Sequence, residues 1–288
     1  MYINCIFVLM GITEQELKEF TEILKNYTSY DFSNYSVKSL TRRVNKVIDD
    51  NKLNFTGLVY KIKNNKEFVE KVIKDITVNT TELFRDPESW NCIKYKILPE
   101  LSKKQSINIW HAGCSTGQEV YSMLMLLSEL NLFNKANVYA SDINRDVLEF
   151  AKKGVYRFRF NLNYLDNYNE VLCKNPFNFE DIKDVPYEKY FSIDKKNDII
   201  IMNPELRQKI RWSFGDLVKK ENPFYVKYDL ILCRNVLIYF DNDLQSKTIE
   251  LFSENLLSKS YLVIGAHESI IGKGEMYFSR KNKYYIKK

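Results

Sequence analysis

The sequence predicts an α/β protein, in which a doubly wound, mostly parallel sheet follows a small all-helical domain and carries a small inserted β subdomain. Short apolar runs alternate with helical patterns from Ile107 onward, as in consecutive βαβ units. Residues 11–76 show helical periodicity without strand-like alternation, and a stretch at about 155–206, rich in Asn, Tyr, Phe and Lys, interrupts the βαβ pattern. We therefore place a helical domain at 11–76 and an α/β domain at 77–288.

The helical domain begins with a capping box, in which the side chains of Thr13 and Glu16 accept hydrogen bonds from each other's backbone N–H groups. Apolar residues then recur on one face of the predicted helix, at Leu17, Phe20 and Leu24. Further helical patterns follow in order at 37–48, 55–62 and 68–73. The second of the predicted helices carries basic residues on its other faces: Lys38, Arg42, Arg43 and Lys46.

The α/β domain is introduced by Asp86 and Pro87, which predict the N-cap and first position of a helix. Compact apolar runs then predict strands at 107–112, 137–141, 210–214, 228–233 and 261–265. Helical periodicity predicts helices at 119–130, 145–152 and 243–257. Within the insert, residues 191–202 predict a hairpin.

The composition excludes several classes of protein. The 288 residues are 45% hydrophobic, 14% aromatic and 28% charged, unlike disordered, collagenous or coiled-coil chains. The longest apolar run, residues 6–10, is too short to cross a bilayer, so we expect a cytoplasmic protein without direct membrane insertion. A formal net charge of +6 is a modest basic excess, which favours an acidic partner only weakly and does not predict binding to nucleic acid.

Cysteine and histidine are sparse and scattered. The five cysteines form no C-x-x-C pair, and His111 and His267 are far apart in the sequence. These spacings predict neither a metal site nor a disulfide framework.

The turn after the first predicted strand is rich in small residues. Gly113 and Gly117 allow a tight turn at the carboxyl end of this strand, where ligands bind in doubly wound sheets. The G-x-x-x-G spacing meets neither the dinucleotide fingerprint nor the phosphate-loop pattern. Asp142 ends the second strand, where a carboxylate can accept hydrogen bonds from both ribose hydroxyls. The pattern indicates a nucleoside site without a phosphate cradle; a structural turn followed by a helix N-cap is the alternative.

Two further clusters mix polar and aromatic side chains. One covers residues 79–86, before the sheet, and the other covers 233–240, after the fourth predicted strand. Their apolar members alone would be read as core residues: Phe84, Val236, Leu237 and Ile238.

Together these segments resemble the CheR family, whose members use S-adenosylmethionine to methylate glutamates of chemotaxis receptors. The family pattern N-x-T-x-F-F-R is matched at Asn79, Thr81, Phe84 and Arg85, with Leu83 in place of the first Phe. The loop S-x-G-E-E-x-Y-S occurs at 115–122, with Gln118 in place of the first Glu. The longer blocks of the family occur at 142–156 and 233–241, and its G-H-S-E element is altered to Gly-Ala-His-Glu at 265–268.

The resemblance implies a Rossmann-like methyltransferase domain and assigns roles to individual residues. It implies that S-adenosylmethionine is contacted by Asn79, Thr81, Arg85, Glu119, Asp142, Asp216, Leu217, Asn235 and Val236. Arg85 and Tyr239 are the implied catalytic residues on the acceptor side. The implied partners are the cytoplasmic helices of methyl-accepting chemotaxis receptors, and the predicted helix that carries Lys38, Arg42, Arg43 and Lys46 is a candidate dock for them.

Some family members also tether a C-terminal pentapeptide of the receptor through a glycine-containing loop of the inserted subdomain. The corresponding stretch here, residues 191–199, contains no glycine, so we expect methylation that does not depend on the pentapeptide. Two other functions stay open from the sequence. The chain could methylate another acceptor, although it lacks an Asn-Pro-Pro-Tyr base-binding motif, or it could be an inactive cofactor-binding scaffold or sensor at receptor arrays.

Overall fold

The structure, a computed structural model, describes residues 11–77, 81–159 and 162–288. Contacts between residues divide the chain into two compact units. The first unit contains the described residues up to 77 together with Ile238–Leu244, and the second contains the other described residues.

The first unit is built from the predicted helices. In order along the chain they are α1 (Glu14–Tyr27), α2 (Val37–Asp50), α3 (Phe55–Asn64) and α4 (Lys66–Ile76). The capping box of α1 is confirmed, because the Thr13 N–H donates to Glu16 Oε2 at 2.8 Å and the Glu16 N–H donates to Thr13 Oγ1 at 3.2 Å. The apolar face predicted for α1 is buried at Leu17, Phe20 and Leu24.

The segment Ile238–Leu244 is held by the chain that precedes α2. Tyr35 and Phe240 form an antiparallel β-bridge, and their ring centroids lie 5.2 Å apart. The Ser36 N–H donates to the Tyr239 carbonyl at 2.8 Å. The sequence-based division assigned this segment to the second domain; backbone pairing with residues distant in sequence, which no local pattern reveals, places it with the helices.

The second unit contains, in its described residues, a mixed seven-stranded sheet. Five of its strands are parallel: β1 (Ile107–Ala112), β2 (Ala136–Asp142), β6 (Ile210–Phe214), β7 (Tyr228–Cys233) and β8 (Leu256–Ile264). The other two strands, β9 (Phe278–Arg280) and β10 (Tyr285–Lys287), add an antiparallel edge that the sequence did not predict. The strand order across the sheet is β6-β2-β1-β7-β8-β10-β9.

Helices flank this sheet and cover its apolar residues. The helix that starts at Pro87 consists of α5 (Pro87–Cys92), a π-helical turn (Ile93–Ile97) and α6 (Leu98–Leu101). The remaining helices beside the sheet are α7 (Gln118–Glu129), α8 (Arg145–Lys153), α10 (Pro204–Lys209) and α11 (Asn242–Asn255). Residues of α7 and β1 are fully buried in the main core, among them Val120, Leu124 and Ile109.

The insert forms a second, smaller sheet, as predicted. Its three strands are β3 (Val155–Arg157), β4 (Phe191–Asp194) and β5 (Ile199–Met202), all antiparallel in the order β3-β5-β4. A short helix, α9 (Leu162–Tyr168), lies between β3 and β4 in the chain. Among the residues that the structure describes, we find no helix with the length and apolarity needed to span a membrane.

The topology decides where a ligand can bind. The chain runs from β1 outward through β2 to β6 and then returns to β7 on the other side of β1. The carboxyl ends of these parallel strands open onto one edge of the sheet, and the change of direction between β1 and β7 leaves a crevice there. The residues that follow β1, β2, β6 and β7 are therefore the first place to look for a site.

Candidate functional site

The loop between β1 and α7 makes a tight turn that its glycines require. Gly113 and Gly117 have φ values of 77° and 88°, in the left-handed region that favours glycine. A Cβ on Gly113 would lie 2.6 Å from Val236 Cγ2, so the backbone after β1 approaches the segment after β7 more closely than any larger residue permits. The segments that follow β1 and β7 thus pack against each other at the crevice.

Asp142, at the end of β2, is oriented by backbone donors. Its Oδ2 accepts from the Ser115 N–H at 2.8 Å, and its Oδ1 accepts from the Asn144 N–H at 2.9 Å. A carboxylate has about four acceptor positions, and the backbone N–H groups of Ser115, Asn144 and Ile143 do not fill all of them, so acceptor capacity stays available to a ligand. Burial raises the pKa of Asp142, although the hydrogen bonds from Asn144 and Ser115 oppose this effect. The side-chain oxygen of Ser115 is buried without a hydrogen-bond partner among the described residues, as expected for a polar group that meets a ligand.

Glu119, in the first turn of α7, belongs to a buried charged network. Its Oε1 lies 2.9 Å from His111 Nδ1, and its Oε2 accepts from Arg234 Nη1 at 3.0 Å. Burial alone would raise the pKa of Glu119, but the hydrogen bond with His111 and the charge of Arg234 lower it. Glu119 is therefore a carboxylate at neutral pH, and His111 Nδ1 carries a proton to donate to it.

Arg234 extends this network to the segment before the sheet. Its side chain is only 1% exposed, and its Nη2 donates to the Arg85 carbonyl at 2.6 Å and to Asp86 Oδ2 at 3.0 Å. One guanidinium thus joins the segment around Arg85, the helix α7 and the end of β7. The Arg85 side chain is half-buried and makes no ion pair within the described part of the chain, which leaves its charge available to a ligand.

The same contact corrects the prediction for Asp86. Asp86 precedes α5 and Pro87 occupies the first turn, as predicted, but the Asp86 side chain makes no capping hydrogen bond. Its backbone has a left-handed φ of 56°, and its carboxylate is instead bound to Arg234. The segment is further anchored by the Phe84 N–H, which donates to Ser122 Oγ on α7 at 2.8 Å.

Asn235 and Val236 follow β7 directly. Asn235 has a left-handed φ of 60°, and its N–H donates to Glu268 Oε2 at 2.9 Å. The same oxygen accepts from the Gly265 N–H at 2.5 Å. Glu268 therefore fixes the backbone at the ends of β7 and β8, beside the contact between Val236 and Gly113.

Asp216 and Leu217 follow β6 at the next strand end. Both residues are buried, and Asp216 Oδ1 accepts from the Val218 N–H at 2.9 Å. The Gly215 N–H donates to the Asp142 carbonyl at 3.1 Å, which places this turn beside the end of β2. The predicted cofactor residues after β2 and β6 are thus neighbours.

The remaining predicted site residues lie in different places. Thr81 is half-buried at the start of the described segment before α5, and Asn79 lies outside the described residues. Tyr239 belongs to the first unit, where the guanidinium of Arg43 lies over its ring at 5.4 Å from the centroid. No cluster of His, Cys, Asp and Glu suited to a metal ion occurs among the residues described.

Sequence reasoning assigned no role to His111, Arg234 or Glu268. Arg234 and Glu268 stand inside motifs that drew attention for other residues, and His111 was noted only as one of two histidines. Their functions come from contacts that the local sequence does not reveal, such as the pairing of Arg234 with Glu119. A buried charge needs such a partner, so an arginine directly after the apolar run 230–233 was the available signal.

Comparison with protein families covers nearly the whole described chain. Residues 79–286 match the family described as "CheR methyltransferase, SAM binding domain". Residues 15–77 match the family described as "CheR methyltransferase, all-alpha domain". The two matches follow each other in the order of the helical and sheet-containing parts of this chain.

Comparison with individual proteins gives similar results. A methyltransferase from Pseudomonas putida, Cher3, is 32% identical over 259 residues, which cover 90% of each chain. A chemotaxis protein methyltransferase from Borreliella burgdorferi is 28% identical over 291 residues, covering 96% of this chain and 93% of the relative. A protein of the same name from Listeria monocytogenes is 26% identical over 279 residues, covering 95% and 98%.

Proposed function

The chain belongs to the CheR methyltransferase family, and from this membership we propose that it forms methyl esters on glutamate side chains of chemotaxis receptors. S-adenosylmethionine is the methyl donor, since the matched sheet-containing domain is the one that binds it. Two of the relatives named above, those from Borreliella burgdorferi and Listeria monocytogenes, carry the name chemotaxis protein methyltransferase, which favours an active receptor methyltransferase over an inactive scaffold. We place this reaction in the cytoplasm.

The residues at the strand ends fit the donor. Asp142 has acceptor positions left for ribose hydroxyls, and the buried Ser115 hydroxyl beside it has no protein partner among the described residues. The observation that carries the proposal is that Arg234 contacts Glu119 and the Arg85 carbonyl and thereby joins the segments of three predicted donor residues, Arg85, Glu119 and the adjacent Asn235. We assign donor contacts to these residues and to Asn79, Thr81, Asp216, Leu217 and Val236.

Methyl transfer to a carboxylate does not require the protein to move a proton. When bound, S-adenosylmethionine supplies a methyl group on a positively charged sulfur. A glutamate side chain, with an ordinary pKa of about 4.3, is ionised at neutral pH, so no general base is needed. The protein's contribution is to orient the carboxylate and exclude water, and such positioning can lower a barrier by about 7 to 11 kcal/mol in favourable systems. We assign Arg85 and Tyr239 to the acceptor side.

The helix α2 is the proposed dock for the acidic receptor helix. Lys38, Arg42 and Lys46 are exposed and recur at the spacing that brings side chains to one face of a helix. Lys46 already pairs with Asp50 at 2.8 Å, so Lys38 and Arg42 carry most of the unpaired charge. Exposed charges of this kind accelerate encounter and are screened by salt.

The direct test follows a labelled methyl group. We expect the protein to transfer label from S-adenosylmethionine to a purified cytoplasmic receptor fragment, and mild alkali to release that label as methanol, because glutamate methyl esters hydrolyse in base. A fragment with its candidate glutamates changed to alanine is the matched control, and RNA is the competing acceptor. Alkali-stable label, or label in RNA, would contradict the proposal.

A further inference from the structure

Arg43 differs from the other basic residues of α2 in its surroundings. Lys38, Arg42 and Lys46 are exposed, whereas Arg43 is half-buried. Its guanidinium lies over the ring of Tyr239, 5.4 Å from the ring centroid. Both residues belong to the first unit, so one compact body brings them together. The basic residues of α2 therefore include one exposed arginine, Arg42, and one half-buried arginine, Arg43.

The charge of Arg43 has no anionic partner in the described chain. Its Nε atom is buried without a hydrogen-bond partner, and the guanidinium makes no ion pair with any described carboxylate. Its charged neighbours are Tyr239 and Arg42, and neither supplies a negative charge at neutral pH. Burial lowers the pKa of Arg43, yet a guanidinium stays protonated in proteins. A half-buried cation of this kind is suited to an anion that arrives with a ligand.

The ring under Arg43 is held in place by backbone contacts. The Tyr239 carbonyl accepts from the Ser36 N–H at 2.8 Å, and the next residue, Phe240, pairs with Tyr35. Arg43 itself projects from the second turn of α2, one residue before the buried Val44. Since a helix and a paired segment support the two side chains, their arrangement is fixed before a ligand arrives.

We propose that Arg43 binds the carboxylate of the acceptor glutamate beside Tyr239. This inference rests on the proposed function and deepens it. A guanidinium offers two parallel N–H donors that match the two oxygens of a carboxylate, whereas a neutral amide side chain can accept hydrogen bonds only at its single oxygen. Stacking on Tyr239 fixes the plane of these donors. Arg43 thus selects an ionised side chain, while Lys38 and Arg42 attract the receptor helix as a whole.

The test compares two neighbouring arginines. Arg43→Gln and Arg42→Gln remove the same charge from the same helix, and a purified cytoplasmic receptor fragment serves as the acceptor. We expect Arg43→Gln to lower kcat/KM for the fragment about 10- to 100-fold, as for loss of a charge-assisted pair, and to do so equally at high and low salt. Arg42→Gln should lower it only a few-fold, through KM, and the difference from wild type should vanish at high salt.

Further measurements separate recognition from folding. Affinity for S-adenosylhomocysteine, measured by calorimetry, should stay at the wild-type value in Arg43→Gln, which shows that the variant is folded. Arg43→Lys, which keeps the charge but loses the paired donors, should recover only part of the rate. Equal losses in the two glutamine variants, both removed by salt, would overturn the inference. Wild-type label that is stable to alkali would instead overturn the proposed function, so the two failures are distinguishable.

Discussion

At the scale of single residues, Arg234 connects more of the site than any residue the sequence motifs assign to the cofactor. Its donors reach Glu119, Asp86 and the carbonyl of Arg85, and its side chain is almost fully buried. These contacts fix two carboxylates and one backbone segment with a single cation. The motifs found in the sequence are therefore parts of one charged network.

Replacing Arg234 by methionine should destabilise the protein strongly. The change removes the charged partner of Glu119, whose side chain is only 14% exposed. Breaking a buried ion pair in this way lowers the free energy of unfolding by about 3 to 5 kcal/mol. Asp86 is 35% exposed, so its share of the loss is screened by water. Urea unfolding at neutral pH measures the change, and Lys103→Met, which breaks an exposed pair with Glu100, is the matched control. A loss no larger than that of the control would contradict this role.

Asp142 is expected to contribute mainly to cofactor affinity. Asp142→Ala removes the acceptor for ribose hydroxyls, and the loss of such charge-assisted hydrogen bonds should weaken binding by about 2 to 4 kcal/mol. Calorimetric titration with S-adenosylhomocysteine measures the affinity. Because Asp142 also accepts from Ser115 and Asn144, the unfolding free energy of the variant is measured beside it. Unchanged affinity would show that Asp142 does not hold the ribose.

The lowered pKa of Glu119 predicts a dependence of stability on acid. His111 and Arg234 favour the ionised form in the folded protein, so this carboxylate binds fewer protons folded than unfolded. Its contribution is complete above its ordinary pKa of 4.5 and is lost as the pH falls below that value toward the folded pKa. Glu119→Gln should therefore lose less stability than wild type as the pH falls from about 5.5 to about 3, by about 1.4 kcal/mol for each unit by which folding lowers the pKa of Glu119. Denaturant unfolding across this range gives the comparison, and identical slopes for the two proteins would exclude this role.

At the scale of elements, the sequence predicted the bounds of three strands of the main sheet correctly. The bounds of β1 and β7 agree with the structure because these central parallel strands are almost completely buried and therefore rich in apolar residues. The bounds of β6 also agree, although β6 lies at the sheet edge and only its first residue, Ile210, is buried. The strand β9 at the other edge and its neighbour β10 were missed. Each has only three residues and is held by backbone pairing, so neither needs an apolar run.

The hairpin of the insert supports a prediction about receptor docking. Asp194 accepts from the backbone N–H groups of Lys196 and Asn197, both at 3.0 Å, and Asp198 reverses the chain with a left-handed φ of 59°. The connection is thus closed by its own side chains and contains no glycine. We expect methylation rates on receptor with and without its C-terminal tail to agree within about twofold, since the tail would supply less than about 0.4 kcal/mol. A clear loss of rate on tail removal would show that the insert binds the tail.

At the scale of the whole molecule, the sequence indicated the strand ends as the site but could not supply the contacts between them. Placing Asp142 and the glycine turn at one edge follows from parallel topology alone. The partners of Arg234 and the position of Tyr239 depend on pairings across large sequence distances, for which no local pattern exists. Tyr239 in particular comes shortly after β7, a strand of the second unit, and is nevertheless held by the chain before α2.

The central claim is that this chain esterifies receptor glutamates with the methyl group of S-adenosylmethionine. Mass spectrometry of receptor peptides, after incubation of the intact receptor fragment with the protein and the donor, tests it most directly. The account predicts one added methyl group on specific glutamate side chains, absent without the donor and removed by mild alkali. Methylation confined to lysine, arginine or backbone nitrogen, or no methylated peptide despite tight donor binding, would contradict it.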